Sequence, residues 1–204
     1  MARQQSHNRR NLIPNALMQF WEFGYHGTGV EDLVRRTGLS RSSLYSEHQS
    51  KNELFKACLL FYTTVLADES VSYMETPDAR LDQVRRYFDC VLSGMEEQTP
   101  PYMGCFLGNT MSECAPHDEG IRTIVEAFND RLRDALLNVL RNETQAGDFP
   151  EEMRKNVAQS WMTSVQGIWS YSRSVRKPED LESAVNGFIM NARALIQSLE
   201  VGRS

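Results

Sequence analysis

The sequence predicts an all-α protein, with a head of short helices followed by a body of longer ones. Three observations carry this. Apolar residues recur at spacings of three and four through most of the chain, as they do along one face of an α-helix. Six of the seven prolines, Pro77, Pro100, Pro101, Pro116, Pro150 and Pro178, sit where those periodic runs begin or end. No stretch sustains the period-two alternation of a half-buried strand.

The elements follow in order. A first helix is expected over 9–23, with Ile13, Ala16, Leu17, Phe20 and Trp21 on one face and Gly24 ending it. A short helix over 30–37 buries Val30, Leu33 and Val34, then Gly38 breaks the chain and Leu39 plugs the turn. Ser40 caps a helix over 41–47, and Ser50 caps a fourth over 51–68, in which Leu54, Cys58, Phe61 and Val65 repeat. Longer helices follow over 79–96, with Leu81, Val84, Phe88, Val91 and Leu92, and over 101–114, started by Pro101. Another passes through Ile121, Val125, Phe128, Leu132, Leu136 and Val139 and ends before Gly147. The last two span 151–173, with Val157, Trp161, Val165 and Ile168, and 178–200, with Leu181, Val185, Phe188, Ala192 and Leu195.

A chain of 204 residues suits one large domain or two small ones. With 41% hydrophobic and 24% charged residues it is not collagen, bulk disorder or a disulfide mini-scaffold. The formal charge of −5 hides an asymmetry: residues 1–56 hold eight basic and five acidic side chains, a balance of +3, which leaves −8 elsewhere. A basic head on an acidic body keeps a nucleic-acid partner open despite the acidic total. No apolar run approaches the roughly 20 residues of a membrane span, and the N-terminus has no apolar signal core. Cys58, Cys90, Cys105 and Cys114 form no CxxC pair, and His7, His26, His48 and His117 are scattered without zinc spacing. The expectation is a cytoplasmic protein with reduced thiols, no metal and no cofactor. No nucleophile elbow, zinc-protease helix, P-loop or dinucleotide fingerprint appears, so no catalytic set is expected.

The informative segment is Gly24 to Phe55, GYHGTGVEDLVRRTGLSRSSLYSEHQSKNELF. Two short helices are joined there by the Gly38–Leu39 turn. The second is too short to be stable alone and must be pinned by packing, for which Leu44 is the anchor. That leaves Ser40, Arg41, Ser42, Ser43 and Tyr45 facing outward, which suits a helix that enters the DNA major groove. Arg41 can donate a bidentate pair to guanine. Ser42 and Ser43 can reach a base edge or a phosphate, and Tyr45 can offer its hydroxyl to phosphate. Lys51 supplies a point charge, and backbone amides near Val30 and Ser40 can meet phosphates. Arg35 and Arg36 divide between a DNA role and a solvated helix face. Arg3, Arg9 and Arg10 divide between a groove contact and a loose tail.

This segment resembles the DNA-binding domain of TetR-family transcriptional regulators. Phe23, Gly24, Tyr25, Thr28, Gly38, Leu39, Ser40, Leu44, Tyr45, Ser50, Lys51 and Leu54 stand in that family's pattern, and the motif runs from Leu12 to Cys58. The resemblance implies DNA contacts from Thr28, Ser40, Arg41, Ser42, Ser43, Tyr45 and Lys51. It also implies a DNA-binding domain over 1–50, a ligand-binding and dimerisation domain over 51–204, and a homodimer formed through the last two helices. Three positions depart from the pattern: His48 where Phe is usual, Gln49 where Pro is common, and Gly29 where Ser or Thr caps the second helix.

A narrower resemblance lies in PPYMGCFLGNTMSE, Pro100 to Glu113, which is similar to a subset of the family with a Gly-Cys-apolar-apolar-Gly-Asn run, some of whose members respond to electrophiles. Cys105 is then either a buried inert thiol or a sensor. Cys105 and Cys114 fall about half a turn apart if one continuous helix carries both, which disfavours a disulfide. Effector-pocket candidates are Phe88, Met103, Cys105, Phe106 and Asn109, with Phe128, Trp161, Val165 and Trp169 further along. The implied function is a homodimeric repressor that binds a palindromic operator and is released by a small molecule, with a Cys105 thiol sensor on the same head as the alternative.

Overall fold

The computed structural model describes residues 9–95, 102–144 and 149–201. No strand occurs among them. The expected helix start at Pro101, helix end at Glu96, tail residue Arg3 and Gly147 lie outside the described residues. The chain packs into two compact units, one from residues 1–66 with 106–127 and the other from 67–105 with 128–204.

The first unit contains α1 (Leu12–Phe23), α2 (Val30–Thr37), α3 (Arg41–Glu47), α4 (Lys51–Phe61) and α7 (Phe106–Glu113). Helix α1 buries Leu12, Ala16, Leu17 and Phe20, as its periodicity requires, and packs on α2 and α4. Gly24 ends it at φ 78°, donating its N–H to the Phe20 carbonyl. Gly38 takes the left-handed conformation at φ 66° and closes α2, after which buried Leu39 fills the turn. Ser40 and Ser50 cap α3 and α4, accepting from the N–H groups of Ser43 and Glu53 at 3.2 and 3.1 Å. Gly29 begins α2 without a capping side chain, and Asp32 compensates by accepting the Gly29 N–H at 2.8 Å. That bond, with one from Arg35, holds the Asp32 carboxyl below the usual range.

The fourth helix differs from expectation. It is α-helical only to Phe61; Tyr62–Leu66 forms a π-helical turn, and α5 (Asp68–Glu75) starts anew. Thr63 and Thr64 explain the break. Both hydroxyls bond the Leu60 carbonyl, at 3.0 and 2.8 Å, and so compete with the backbone for that acceptor. Helix α7 also starts later than expected. Gly104 sits at φ 70°, and a Cβ there would lie 2.9 Å from Arg173 Cγ and 3.0 Å from the Trp169 carbonyl oxygen. Cys105 therefore immediately precedes α7 instead of lying within a helix.

The second unit holds α5, α6 (Leu81–Ser93), the part of α8 (Glu119–Glu143) from Phe128 onward, α9 (Glu151–Ser172) and α10 (Pro178–Val201). Its core includes Met74, Val84, Phe88, Leu132, Leu136, Ala158, Val165 and Val185. Arg131 bridges Asp68 and Glu75, at opposite ends of α5, at 2.8 and 2.6 Å. Buried Arg154 donates to the Thr144 hydroxyl and carbonyl at 2.8 and 3.0 Å. No helix of the described residues is long and apolar enough to cross a membrane.

The turn from Gly24 to Thr28 feeds directly into α2, and it is held from both sides. The Lys51 ammonium donates to the carbonyls of Tyr25 and Thr28, each at 2.9 Å, and lies 4.1 Å from the Tyr25 ring centroid. The Glu113 carboxylate accepts the N–H groups of Tyr25 and His26 at 3.0 and 2.7 Å. Asn52 adds a bond to Asp118 at 2.7 Å. Gly27 has no room for a side chain, since a Cβ would lie 2.2 Å from the Phe23 carbonyl oxygen. Behind the turn, Phe55 meets Phe20 and Tyr25 with ring centroids 4.9 Å away, and Phe106 at 5.5 Å. Glu113→Ala and Lys51→Met should each lower thermal stability by about 1–2 kcal/mol. The double variant should lose less than the sum, because both groups hold one turn. Fully additive losses or unchanged unfolding midpoints would show that the turn is held by something else.

Candidate nucleic-acid interface

Helix α3 is seven residues long and buries only Leu44. Ser40, Arg41, Ser42 and Tyr45 are exposed, and Ser43 is half-buried. The Arg41 guanidinium carbon lies 5.9 Å from the Tyr45 ring centroid, one helical turn away. The Ser40 hydroxyl lies 3.0 Å from that of Ser42 and 2.9 Å from that of Ser43. The result is a small polar surface with one guanidinium and one phenol, projecting from a single apolar anchor. Glu47, the only acid on α3, pairs with Arg9 at 3.5 Å. Arg36 reaches Glu22 at 3.6 Å, and Arg35 is paired with Asp32. His48 is half-buried and caps α3 through its backbone N–H to the Leu44 carbonyl.

Two of the expected contacts stand differently. Thr28 is 1% exposed, and its hydroxyl donates to the Gly24 carbonyl at 2.7 Å, so the side chain faces the protein interior and not outward. Lys51 spends its ammonium on the Tyr25 and Thr28 carbonyls. Burial lowers its pKa, while the nearby Cys114 and Glu113 oppose that shift. Lys51 is thus a brace of the head, where the sequence suggested a bare point charge.

The expected effector residues divide between the units. Phe106 and Asn109 belong to the first, and Phe106 is a core ring packed near Phe55, Tyr62 and Trp21. Met103, Cys105, Phe88, Phe128, Trp161, Val165 and Trp169 belong to the second. There Phe88 lies 5.6 Å from Trp169 and 5.5 Å from Phe188, and Trp161 lies 5.8 Å from Phe188, centroid to centroid. Trp169 Nε1 donates to the Tyr87 hydroxyl at 2.8 Å. Tyr87 is pushed up in pKa, first by burial and next by the neighbouring Cys105. Gln166 Nε2 donates to Asn129 Oδ1 at 3.0 Å, while its buried Oε1 meets no hydrogen-bond donor among the described residues.

Tyr87, Phe188 and Gln166 were not among the expected site residues. Tyr87 follows Val84 by three positions and so shares the face of Val84 and Phe88, but its hydroxyl's partner is 82 positions away; Gln166 sits beside Val165 with no apolar signal of its own.

None of the four cysteines is in a disulfide. Burial pushes the thiols of Cys58 and Cys90 up, and that of Cys114 up to about 12. The ligand atoms of His26, Glu113 and Cys114 lie within 4.8 Å of one another. Sequence spacing gave no sign of this group, because His26 is 87 positions from Glu113.

Comparison with known proteins agrees with this architecture. Residues 12–58 match the family described as "Bacterial regulatory proteins, tetR family", and residues 80–188 match "Tetracyclin repressor-like, C-terminal domain". The chain is 24% identical over 152 residues to the uncharacterized HTH-type transcriptional regulator YezE of Bacillus subtilis, covering 74% of this chain and 78% of that one. It is also 24% identical over 144 residues to the HTH-type transcriptional repressor ComR of Escherichia coli, covering 70% and 68%. Among solved structures, a cysteine mutant of the TetR-family regulator CifR, complexed with 26 bp operator DNA, superposes with a TM-score of 0.74 at 19% identity over 89% of this chain and 95% of that one. A helix-turn-helix head built on these residues, joined to a body that matches the second family domain across more than half of the chain, places this protein in the TetR family of bacterial transcriptional regulators.

Proposed function

We propose that this regulator is a repressor that binds a palindromic operator as a homodimer and is released by a small-molecule effector. The observation that carries the reading is α3, where Arg41, Ser42 and Tyr45 stand exposed on a helix whose only buried residue is Leu44. A surface of that kind fits the major groove. Similarity to ComR, a repressor, and to CifR, solved in complex with operator DNA, supports it.

The functional division is a DNA-binding domain over 1–50 and a ligand-binding and dimerisation domain over 51–204. Dimerisation through α9 and α10 is supported by large apolar side chains left exposed on them, Met153, Tyr171 and Met190. A two-fold dimer calls for two half-sites related by the same symmetry. Release follows from linkage: an effector that prefers the DNA-incompetent state weakens DNA binding by the same factor that DNA weakens effector binding. Helix α4 is the natural two-state element, since its first residue, Lys51, braces the turn that feeds α2. Residues around Tyr87, Phe88, Trp161 and Trp169 are the effector site of choice, an aromatic cluster with a few polar groups.

A thiol-sensing version is favoured by one observation. Cys105 immediately precedes α7, outside any helix, and it neighbours Tyr87.

In a gel shift with DNA from the region upstream of the gene, Arg41→Ala should cost about 1–3 kcal/mol, a loss of roughly five- to 150-fold. Tyr45→Phe should weaken binding less. Undiminished binding by both variants would remove α3 from the interface. Cys105→Ser should leave basal DNA binding intact and abolish release by an electrophile if the thiol is the sensor. Release that persists in this variant points to a non-covalent effector.

A further inference from the structure

One group of donor side chains is used neither by the DNA-facing helix nor by the apolar body. The His26 imidazole, the Glu113 carboxylate and the Cys114 thiol present ligand atoms within 4.8 Å of one another. We propose that these three residues form a site for a divalent transition metal of the zinc class, and that the bound ion pins the turn between α1 and α2 to the end of α7.

The donor set of one nitrogen, one oxygen and one sulfur is the mixture zinc accepts. Magnesium and calcium take oxygen ligands in larger number, so the set excludes them. Tetrahedral bonds of the usual length put ligand atoms about 3.5 Å apart, so the observed groups need only a small closure. His26 is exposed, its ring edge-on to that of Tyr25 with centroids 5.3 Å apart, whereas Cys114 is buried.

Glu113 is oriented before any ion arrives. Each of its oxygens accepts one backbone N–H, from Tyr25 and His26, and keeps a lone pair for a metal. Outer hydrogen bonds of this kind orient metal ligands and tune their affinity.

Charge also balances. On binding, the thiol proton leaves to solvent, and the thiolate and carboxylate together offset the two charges of the ion. Three protein ligands leave the fourth position to water on the exposed His26 side.

The site itself is independent of the repressor reading. Its consequence for DNA rests on that reading: His26 lies on the turn that leads into α2, so occupancy is linked to the placement of α2 and α3.

Cobalt(II) titrated into the reduced full-length protein tests the site. The expected result is one equivalent bound, with visible bands of four-coordinate cobalt and a near-ultraviolet thiolate-to-cobalt charge-transfer band. Cys114→Ser should lose that band. His26→Ala should weaken affinity by about tenfold or more, and His117→Ala, an exposed neighbour outside the triad, should change nothing. Zinc should displace cobalt and raise the unfolding midpoint of the wild type, but not of His26→Ala. Absence of the charge-transfer band, or its survival in Cys114→Ser, overturns the site. Should Cys114→Ser fail to fold, the exposed His26→Ala variant decides, and unchanged cobalt affinity there is equally fatal. A zinc-dependent change in DNA affinity that vanishes in His26→Ala supports the coupling. Unchanged DNA affinity overturns the coupling, while the cobalt spectrum still decides the site.

Discussion

The head of this protein depends on how a five-residue turn is gripped. Residues Gly24 to Thr28 leave α1 and deliver the chain to the helix-turn-helix, and they have little regular hydrogen bonding of their own. Lys51 takes two of their carbonyls, and Glu113 takes two of their N–H groups. Opposite charges thus satisfy opposite ends of the peptide groups. Each bond is ionic on one side, the kind that is stronger than a neutral pair. The aromatic rings of Phe20, Tyr25 and Phe55 fill the space behind the turn. What this fixes is the entry angle of α2, and with α2 the position of α3, which is too short to set its own position.

This arrangement also explains why a brace had to come from distant parts of the chain. Lys51 begins α4 and Glu113 ends α7, two elements with other buried faces to satisfy. A carboxylate at a helix C-terminus opposes the helix dipole. Its cost is offset by the two backbone donors it meets. An effect on the end of α7 therefore reaches the turn through hydrogen bonds, without passing through the packed core.

Much of the head was legible in the sequence, because its local rules agree. Gly38 needs a left-handed conformation, Ser40 and Ser50 cap helices, and Leu39 and Leu44 fill the turn and anchor α3. Each of these depends on residues within a few positions of itself. The elements read less well were those decided by competition or by distance. The π turn after Phe61 arises because Thr63 and Thr64 claim a carbonyl, a contest that apolar spacing does not display. The left-handed conformation of Gly104 goes with close approach to Trp169 and Arg173, 65 or more positions away. Thr28 and Lys51 were legible as family positions but not as interior braces, since a motif records which residue stands in a place and not which way its side chain turns. Phe106 was legible as apolar, while its membership of the first unit's aromatic core was not.

The pairing of Arg9 with Glu47 has a further consequence for how the head meets a polyanion. Arg9 already has an anion beside it. A phosphate that draws Arg9 away must leave the Glu47 carboxylate unmatched against the duplex, so the two events oppose each other. The surplus of positive charge in the head is then an upper bound on what a backbone can draw on at once. In the proposed interface such a surface would discriminate by where the phosphates lie, favouring a strand that passes clear of Glu47 over one that crosses it. In that proposed interface grip is exchanged for register.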